Sequence, residues 1–457
     1  MDKKKLFYFY IVNKINFSAA TYSENLSQVE TLMEYYICLC YNFLNFFHIK
    51  AGVQKLILPN FLKCKLHDFR TYIKYFPKRI QFLFCNFLPI NKKKIVFSNF
   101  SGKRCGDSPF SIFCFLQRLH PDWDFIWLYN PAYSPKIPDG ARGVCFDSGK
   151  MIYELSTSSV WIDSHYKPIY TRKRKNQLYI QTWHGGVSLK SERMLSEKEP
   201  DFVKQKRILN FDILPDYVIT DSNHTTSVFQ NFFCMKEKYL KIGNPCDDIF
   251  FSKTDENLIK KELSLPQDKK IVLYCPTWRE DGDTTCYSLN TKKVLSALNE
   301  RFGSEWILLV RLHPLVMKTS PNLFKADNTT IFDVTSHEAI NDILYISDIL
   351  ITDYSGVMGT FMTTGRPIFL FQSDYQKYLN MRGLDFSNDE LPFSSANDSN
   401  ELEIAIKNFD EQKYKTDLTN FKKKIGFVEN NKSTEKICTL IENFIRTGIK
   451  EYESNRY

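Results

Sequence analysis

Long apolar runs are scarce in this chain of 457 residues. The best window, LMEYYICLCYNFLNFFHI at 32–49, is interrupted by Glu34, Asn42, Asn45 and His48. It falls short of the roughly 18 clean apolar residues that a membrane-spanning helix requires. The start, MDKKKLFYFYIVNKINF, has a basic head, but its apolar stretch is short and no small-residue cleavage site follows, so no secretory signal is expected. CxxC pairs are missing as well. The twelve cysteines are scattered, Cys38 and Cys40 being the closest, a spacing that excludes the usual zinc and dithiol-exchange sites. We expect reduced thiols in a cytosolic compartment. No DxD-type acidic pair stands out beyond Asp281 and Asp283, so no metal or other cofactor is expected to be required, a divalent cation remaining an option. There is no recognised nucleic-acid-binding module, and no nucleic acid partner is expected.

What is present is a chain that is 43% hydrophobic, enough for two or three domains of roughly 100 to 200 residues each. Its net charge of +9 is unevenly placed: residues 1–94 carry fifteen Lys and Arg against five Asp and Glu, so the rest of the chain is close to neutral. Within that basic segment, Leu62, Leu66, Phe69, Ile73 and Phe76 recur at helical spacing while Lys63, Arg70 and Lys74 fall elsewhere. The spacing predicts an amphipathic helix over 61–77, stopped by Pro77. A basic, aromatic-rich helix suits the interface of an anionic membrane, and packing against the rest of the protein is the alternative.

From residue 92 the texture changes. KKKIVFSNF leads through the glycine-bearing SGKRCGDSPF into SIFCFLQRLH, which reads as strand, loop, helix. DFIWLYN (124–130), SSVWIDSH (158–165), LYIQTWH (178–184) and YVITDSN (217–223) are further strand-length runs with polar or glycine-containing ends. After about residue 250 the pattern restarts with KKIVLYCPTWRED (269–281), EWILLVRLHP (305–314), TTIFDVT (329–335), DILITDYSG (348–356) and RPIFLFQ (366–372). The expectation is an α/β protein with three parts: a basic, mainly helical segment over 1–91, and two doubly wound domains over 92–250 and 251–457 that face a cleft.

The strand ends deliver His184 from the first half, and Arg279, Arg311, His313, Asp353, Tyr354 and Ser355 from the second. Arginine forks onto phosphate oxygens and imidazole moves protons near neutral pH, a combination that suits a phosphorylated ligand. TDYSG also reads as a helix start that offers N–H groups and a hydroxyl to a phosphate. Each residue has a structural alternative: a histidine that only hydrogen-bonds, a helix cap at Thr352, Asp353 or Ser355, a core position for Trp278.

Taken in order, these motifs resemble a known family. QTWHGGVSLK (181–190) is similar to the WHG-x-x-x-K signature of the CDP-glycerol glycerophosphotransferases, which build teichoic acid backbones and related capsular polymers. GNPCDD (243–248), CPTWRED, RLHP, ITDYSG (351–356), GRP (365–367) and RGLDF (382–386) continue the resemblance over about 92–430. It implies a GT-B-like fold and transfer of a polyol phosphate from a CDP-alditol donor to a lipid-linked or polymeric acceptor, with CMP leaving. By that analogy His184 is the base. His313 and Arg311 hold the diphosphate, while Thr277, Trp278, Arg279, Thr352, Asp353, Ser355 and Arg382 belong to the donor side and Lys190 to the acceptor. The pattern departs from the family's at Cys246, Gly356, Gly359 and Thr360, which opens the door to CDP-ribitol or to lost activity. The resemblance also suggests peripheral attachment to the cytoplasmic face of the cell membrane through an anionic surface. A GT-B glycosyltransferase using a nucleotide sugar and a non-enzymatic binding protein are the other classes in play.

Overall fold

The computed structural model describes residues 74–452 apart from short stretches at 192–203, 205–207, 233–237, 314–315, 317–322, 325 and 430. Residues 81–457 form one compact unit and the residues up to 80 another. Most of the expected 61–77 helix lies outside the described residues. Its end does not: residues 74–85 are helical, so Pro77 does not stop the helix. A proline deletes one backbone hydrogen bond and bends a helix, and the turns beyond it continue when their own bonds are made.

The large unit holds two parallel sheets. The first has the order β3-β2-β1-β4-β5-β6-β7, built from β1 (Asn91–Ser98), β2 (Asp124–Tyr129), β3 (Arg142–Cys145), β4 (Ser158–Asp163), β5 (Leu178–Gln181), β6 (Tyr217–Thr220) and β7 (Tyr239–Lys241). The second has the order β10-β9-β8-β11-β12-β13, from β8 (Lys270–Tyr274), β9 (Trp306–Val310), β10 (Ile331–Asp333), β11 (Ile349–Thr352), β12 (Ile368–Phe371) and β13 (Ser394–Ala396). In both, the chain winds outward from a central strand, β1 or β8, in one direction and then in the other, which is the doubly wound arrangement. The central strands are apolar and buried on both faces, as parallel sheets covered by helices require. In the first sheet this core is aromatic: Phe97 stacks on Trp127 at 5.5 Å, and Phe113 packs edge-on against both.

Five helices bear on the site: α1 (Asp107–Leu119), α2 (Ile340–Ile346), α3 (Val357–Phe361), α4 (Tyr375–Arg382) and α5 (Ser433–Thr447). The last of these, expected with the second domain, instead returns to the first. Ile437, Leu440, Ile441 and Phe444 join the core of Ile95, Phe113 and Leu116, and Asp248 accepts from the Ser433 and Thr434 N–H groups at its start. The two lobes therefore share a C-terminal strap. They also meet where the loop after β5 reaches across: Val187 and Leu189 are buried in the second lobe's core, and Lys190 pairs antiparallel with Leu384.

Candidate active site

The loop after β5 carries Trp183 in the left-handed region, φ 55°, a conformation that costs a tryptophan roughly 1–2 kcal/mol and persists only where its surroundings fix it. Here the Trp183 N–H donates to Gln181 Oε1, and its indole lies beside the rings of His184 at 4.0 Å and His165 at 6.2 Å. The kinked turn brings His184 Nδ1 to 2.7 Å from the Ser164 carbonyl. A carbonyl only accepts, so Nδ1 carries the proton and Nε2 presents a lone pair. Burial, opposed by that hydrogen bond and reinforced by the Lys190 charge, pushes the His184 pKa down to about 4. His184 is thus a neutral imidazole with a fixed tautomer. Two residues on, a Cβ at Gly186 would meet Asp221 Oδ2 at 1.4 Å, and the same oxygen accepts the Val187 N–H at 3.0 Å. Glycine is what lets this loop lie on a buried carboxylate.

On the second lobe, β9 ends in Arg311 and His313. Arg311 is 7% exposed and its Nη1 donates to the Val334 and His337 carbonyls at 3.1 and 2.7 Å. His313 keeps solvent contact and stacks on Trp278 at 5.7 Å. Partial burial, followed by the charges of Lys190, Arg104 and Lys103, holds its pKa below the ordinary histidine value. Lys190 lowers both histidines, so its ammonium lies within electrostatic range of the pair.

Other residues expected on the donor side turn out to build the turn rather than face the cleft. Arg279 is 2% exposed: Nη1 pairs with Asp353 Oδ2 at 2.9 Å, and Nε and Nη2 pair with Asp374 at 2.7 and 2.9 Å, under the rings of Tyr354 and Tyr378. With its fork closed on two carboxylates it has no face to offer a phosphate. Asp353 accepts the Thr277 and Tyr354 N–H groups, and Thr352 Oγ1 donates to the Cys275 carbonyl, which locks the 275–279 turn to β11. Thr277 Oγ1 is a buried hydroxyl without a hydrogen-bond partner among the described residues. Arg382 donates to Glu280 at 3.0 Å. Ser355 precedes α3, which is only five residues long, and Gly359 within it replaces any side chain where the Val187 carbonyl would lie 2.2 Å from a Cβ. Cys246 exchanges contacts with Ser108, and its carbonyl accepts from Asn341 of α2. Asp281 and Asp283 both bind Lys377 Nζ, at 2.7 and 2.6 Å.

The sequence did not single out His165. It follows β4 as His184 follows β5, and those strands are neighbours, so the two rings lie 5.3 Å apart. Its Nδ1 is 2.9 Å from Ser101 Oγ, whose own proton goes to the Tyr166 carbonyl. Phe100, from the loop after β1, covers His184 at 4.7 Å. Two such chemistry-bearing residues at adjacent strand ends are a signal, but only once the strand order is known.

A family model described as CDP-Glycerol:Poly(glycerophosphate) glycerophosphotransferase matches residues 80–443. The teichoic acid poly(glycerol phosphate) polymerase of Staphylococcus epidermidis is 32% identical over 375 residues, 78% of this chain and 51% of that protein. The teichoic acid glycerol-phosphate transferase of Staphylococcus aureus is 29% identical over 370 residues, 77% of this chain and 93% of that protein. Among solved structures, the wall teichoic acid polymerase TagF soaked with CDPG is similar with a TM-score of 0.69 and 28% identity, covering 83% of this chain and 98% of that one. This chain spans about half the length of the first two polymerases it matches. The TagF likeness carries the GT-B-like reading of the two lobes.

Proposed function

The chain belongs to the CDP-glycerol:poly(glycerophosphate) glycerophosphotransferase family, and from that premise we propose that it transfers a polyol phosphate, glycerol phosphate first, from a CDP-linked donor to an acceptor hydroxyl. The observation that supports this most is His184: a neutral imidazole whose Nδ1 is tied to a carbonyl, on the lobe facing Arg311 and His313. The acceptor oxygen bonds to the donor's β-phosphorus, the bond from that phosphorus to the CMP oxygen breaks, and the hydroxyl proton passes to His184 Nε2. Phosphoryl transfer of this kind asks for a positioned base and for charge stabilisation on the diphosphate oxygens. Arg311 and His313 supply the latter as a side-chain cation and a donor, with Lys190 kept for the acceptor, so the reading requires no resident metal. Burial, with the charges of Lys190, Arg104 and Lys103 behind it, lowers the His313 pKa in the protein alone; the charge of an incoming dianion opposes this and favours the protonated, donating form.

The acceptor in this reading is a lipid-linked or polymeric phosphate of teichoic-acid or capsular type, met at the cytoplasmic face of the membrane. The test is CMP release from purified protein given CDP-glycerol or CDP-ribitol with an oligomeric phosphate acceptor, with and without EDTA. Acceptor-dependent CMP from one donor, unchanged by EDTA and lowered about 10²- to 10⁴-fold by His184→Ala, is expected. Release of a nucleoside diphosphate from a nucleotide sugar instead would reassign the chain to glycosyl transfer.

A further inference from the structure

Arg104 is a half-buried guanidinium that makes no hydrogen bond or ion pair among the described residues. Three other half-buried arginines are closed onto something: Arg174 onto the Leu88 and Ser156 carbonyls, Arg366 onto those of Tyr345 and Ser347, Arg382 onto Glu280. Covering a charge without compensation is costly, so an unpaired Arg104 calls for a reason.

Its position provides one. Arg104 lies on the loop after β1, the central strand of the first sheet, and that loop runs directly against the second lobe. A Cβ at Gly106 would be 3.9 Å from the Glu338 carbonyl, and Glu338 follows His337, whose carbonyl holds Arg311 Nη1. The two guanidinium groups feel one another: Arg104 adds to the burial that brings Arg311 down to about 10, and it acts on His313 too. Asp333 acts on Arg311 without pairing to it, and the carboxylate in range of both arginines is Asp107. Its charge is felt by both arginines, yet it is ion-paired with neither; it accepts from Asn99 Nδ2 at 3.2 Å, and burial disfavours its ionised form. Two cations thus converge from two lobes with no paired anion. Arg311 spends only Nη1 on backbone, which leaves the rest of its fork for a ligand.

We infer that Arg104 and Arg311 grip the diphosphate of the CDP-linked donor from opposite lobes, Arg104 being a donor contact contributed by the lobe that holds His184. The inference rests on the donor reading above. A diphosphate fits better than the phosphodiester of a polymeric acceptor because it brings at least two negative charges to one place, one for each fork.

The experiment is isothermal titration of the full chain carrying His184→Ala, which stops turnover, with CDP, cytidine and inorganic diphosphate, comparing Arg104 with Arg104→Gln and Arg104→Lys. Arg104→Gln is expected to weaken CDP and diphosphate by at least about tenfold, with Arg104→Lys intermediate and cytidine unmoved. Matching melting temperatures guard against a folding defect. Equal diphosphate affinity in the Arg104 and Gln proteins overturns the paired site. So does an unchanged CDP affinity accompanied, in the His184 protein, by a raised KM for the acceptor alone, which would hand Arg104 to the acceptor. If diphosphate binds through Arg104 but CDP does not bind at all, the donor reading fails and the paired-arginine site stands.

Discussion

His184 is set up as a base by what surrounds it rather than by its own chemistry. Burial, with the nearby Lys190 ammonium adding to it, favours the uncharged ring, and the Ser164 carbonyl fixes which nitrogen is left to take a proton. The sign for catalysis follows. The neutral ring is the active form, so the His184 contribution to kcat/KM is fully present above its folded pKa and is lost as pH drops through it, and this acid limb of the free protein is expected near 4 rather than at the ordinary 6.5. Lys190→Gln removes a positive charge that opposes protonation and therefore moves that limb to higher pH. A pH–rate profile of the two proteins decides it: an unmoved limb, or a shift toward acid, would remove Lys190 from His184's field. At this scale part of the site was legible. His184, Arg311 and His313 could be read because each follows an apolar run, and a strand end is visible in a single sequence. Arg279 and Asp353 were read onto the same wall, but their direction depends on Asp374, a carboxylate 95 residues away from Arg279 that no local pattern reveals.

The element that joins the lobes is the loop after β5, and its partner is the five-residue α3. Gly359 of α3 lies against the Val187 carbonyl so closely that a methyl group would sit 2.2 Å from that oxygen. Gly359→Ala therefore forces backbone apart three residues from His184. Overpacking of this kind costs on the order of 1–3 kcal/mol, against at most about 1 kcal/mol regained from alanine's helix propensity. The melting temperature is expected to fall by a few degrees and CMP release to fall further than the stability loss explains. Wild-type behaviour in both would mean that the lobes do not depend on this contact. Among elements, every one of the ten expected strand runs forms a strand. The three that escaped, β3, β7 and β13, have only three or four residues and lie at sheet edges, where most of their positions remain partly exposed. An edge strand buries too little to leave an apolar run in the sequence. The return of α5 to the first lobe was equally hidden. Its apolar face is plain, but nothing local says which of two cores it enters.

At the scale of the whole molecule the open question is what the basic segment does, and the fold changes how it must be asked. A cut at residue 90 would follow the charge but would take away Phe82 and Cys85, both buried, the Phe82 ring packing 6.2 Å from that of Tyr170, and the Leu88 carbonyl that Arg174 grips. The compact unit begins at Gln81. Residues 1–80 still carry twelve Lys and Arg against five Asp and Glu, +7 in all, so removal up to 80 tests the segment without opening the core. No helix among the described residues is long and apolar enough to cross a membrane. The concentrated positive charge makes surface attachment the form of membrane association to test. Polybasic segments gain roughly 1 kcal/mol per Lys or Arg near an anionic surface, an attraction that salt screens. The full chain is expected to co-sediment with phosphatidylserine-containing vesicles at low salt and to be released as salt rises. The chain lacking 1–80 should stay in solution while releasing CMP at the full rate with a soluble acceptor. Equal sedimentation of both chains would place membrane contact on the lobes themselves, and loss of turnover with the soluble acceptor would make the segment part of the catalytic body rather than its tether.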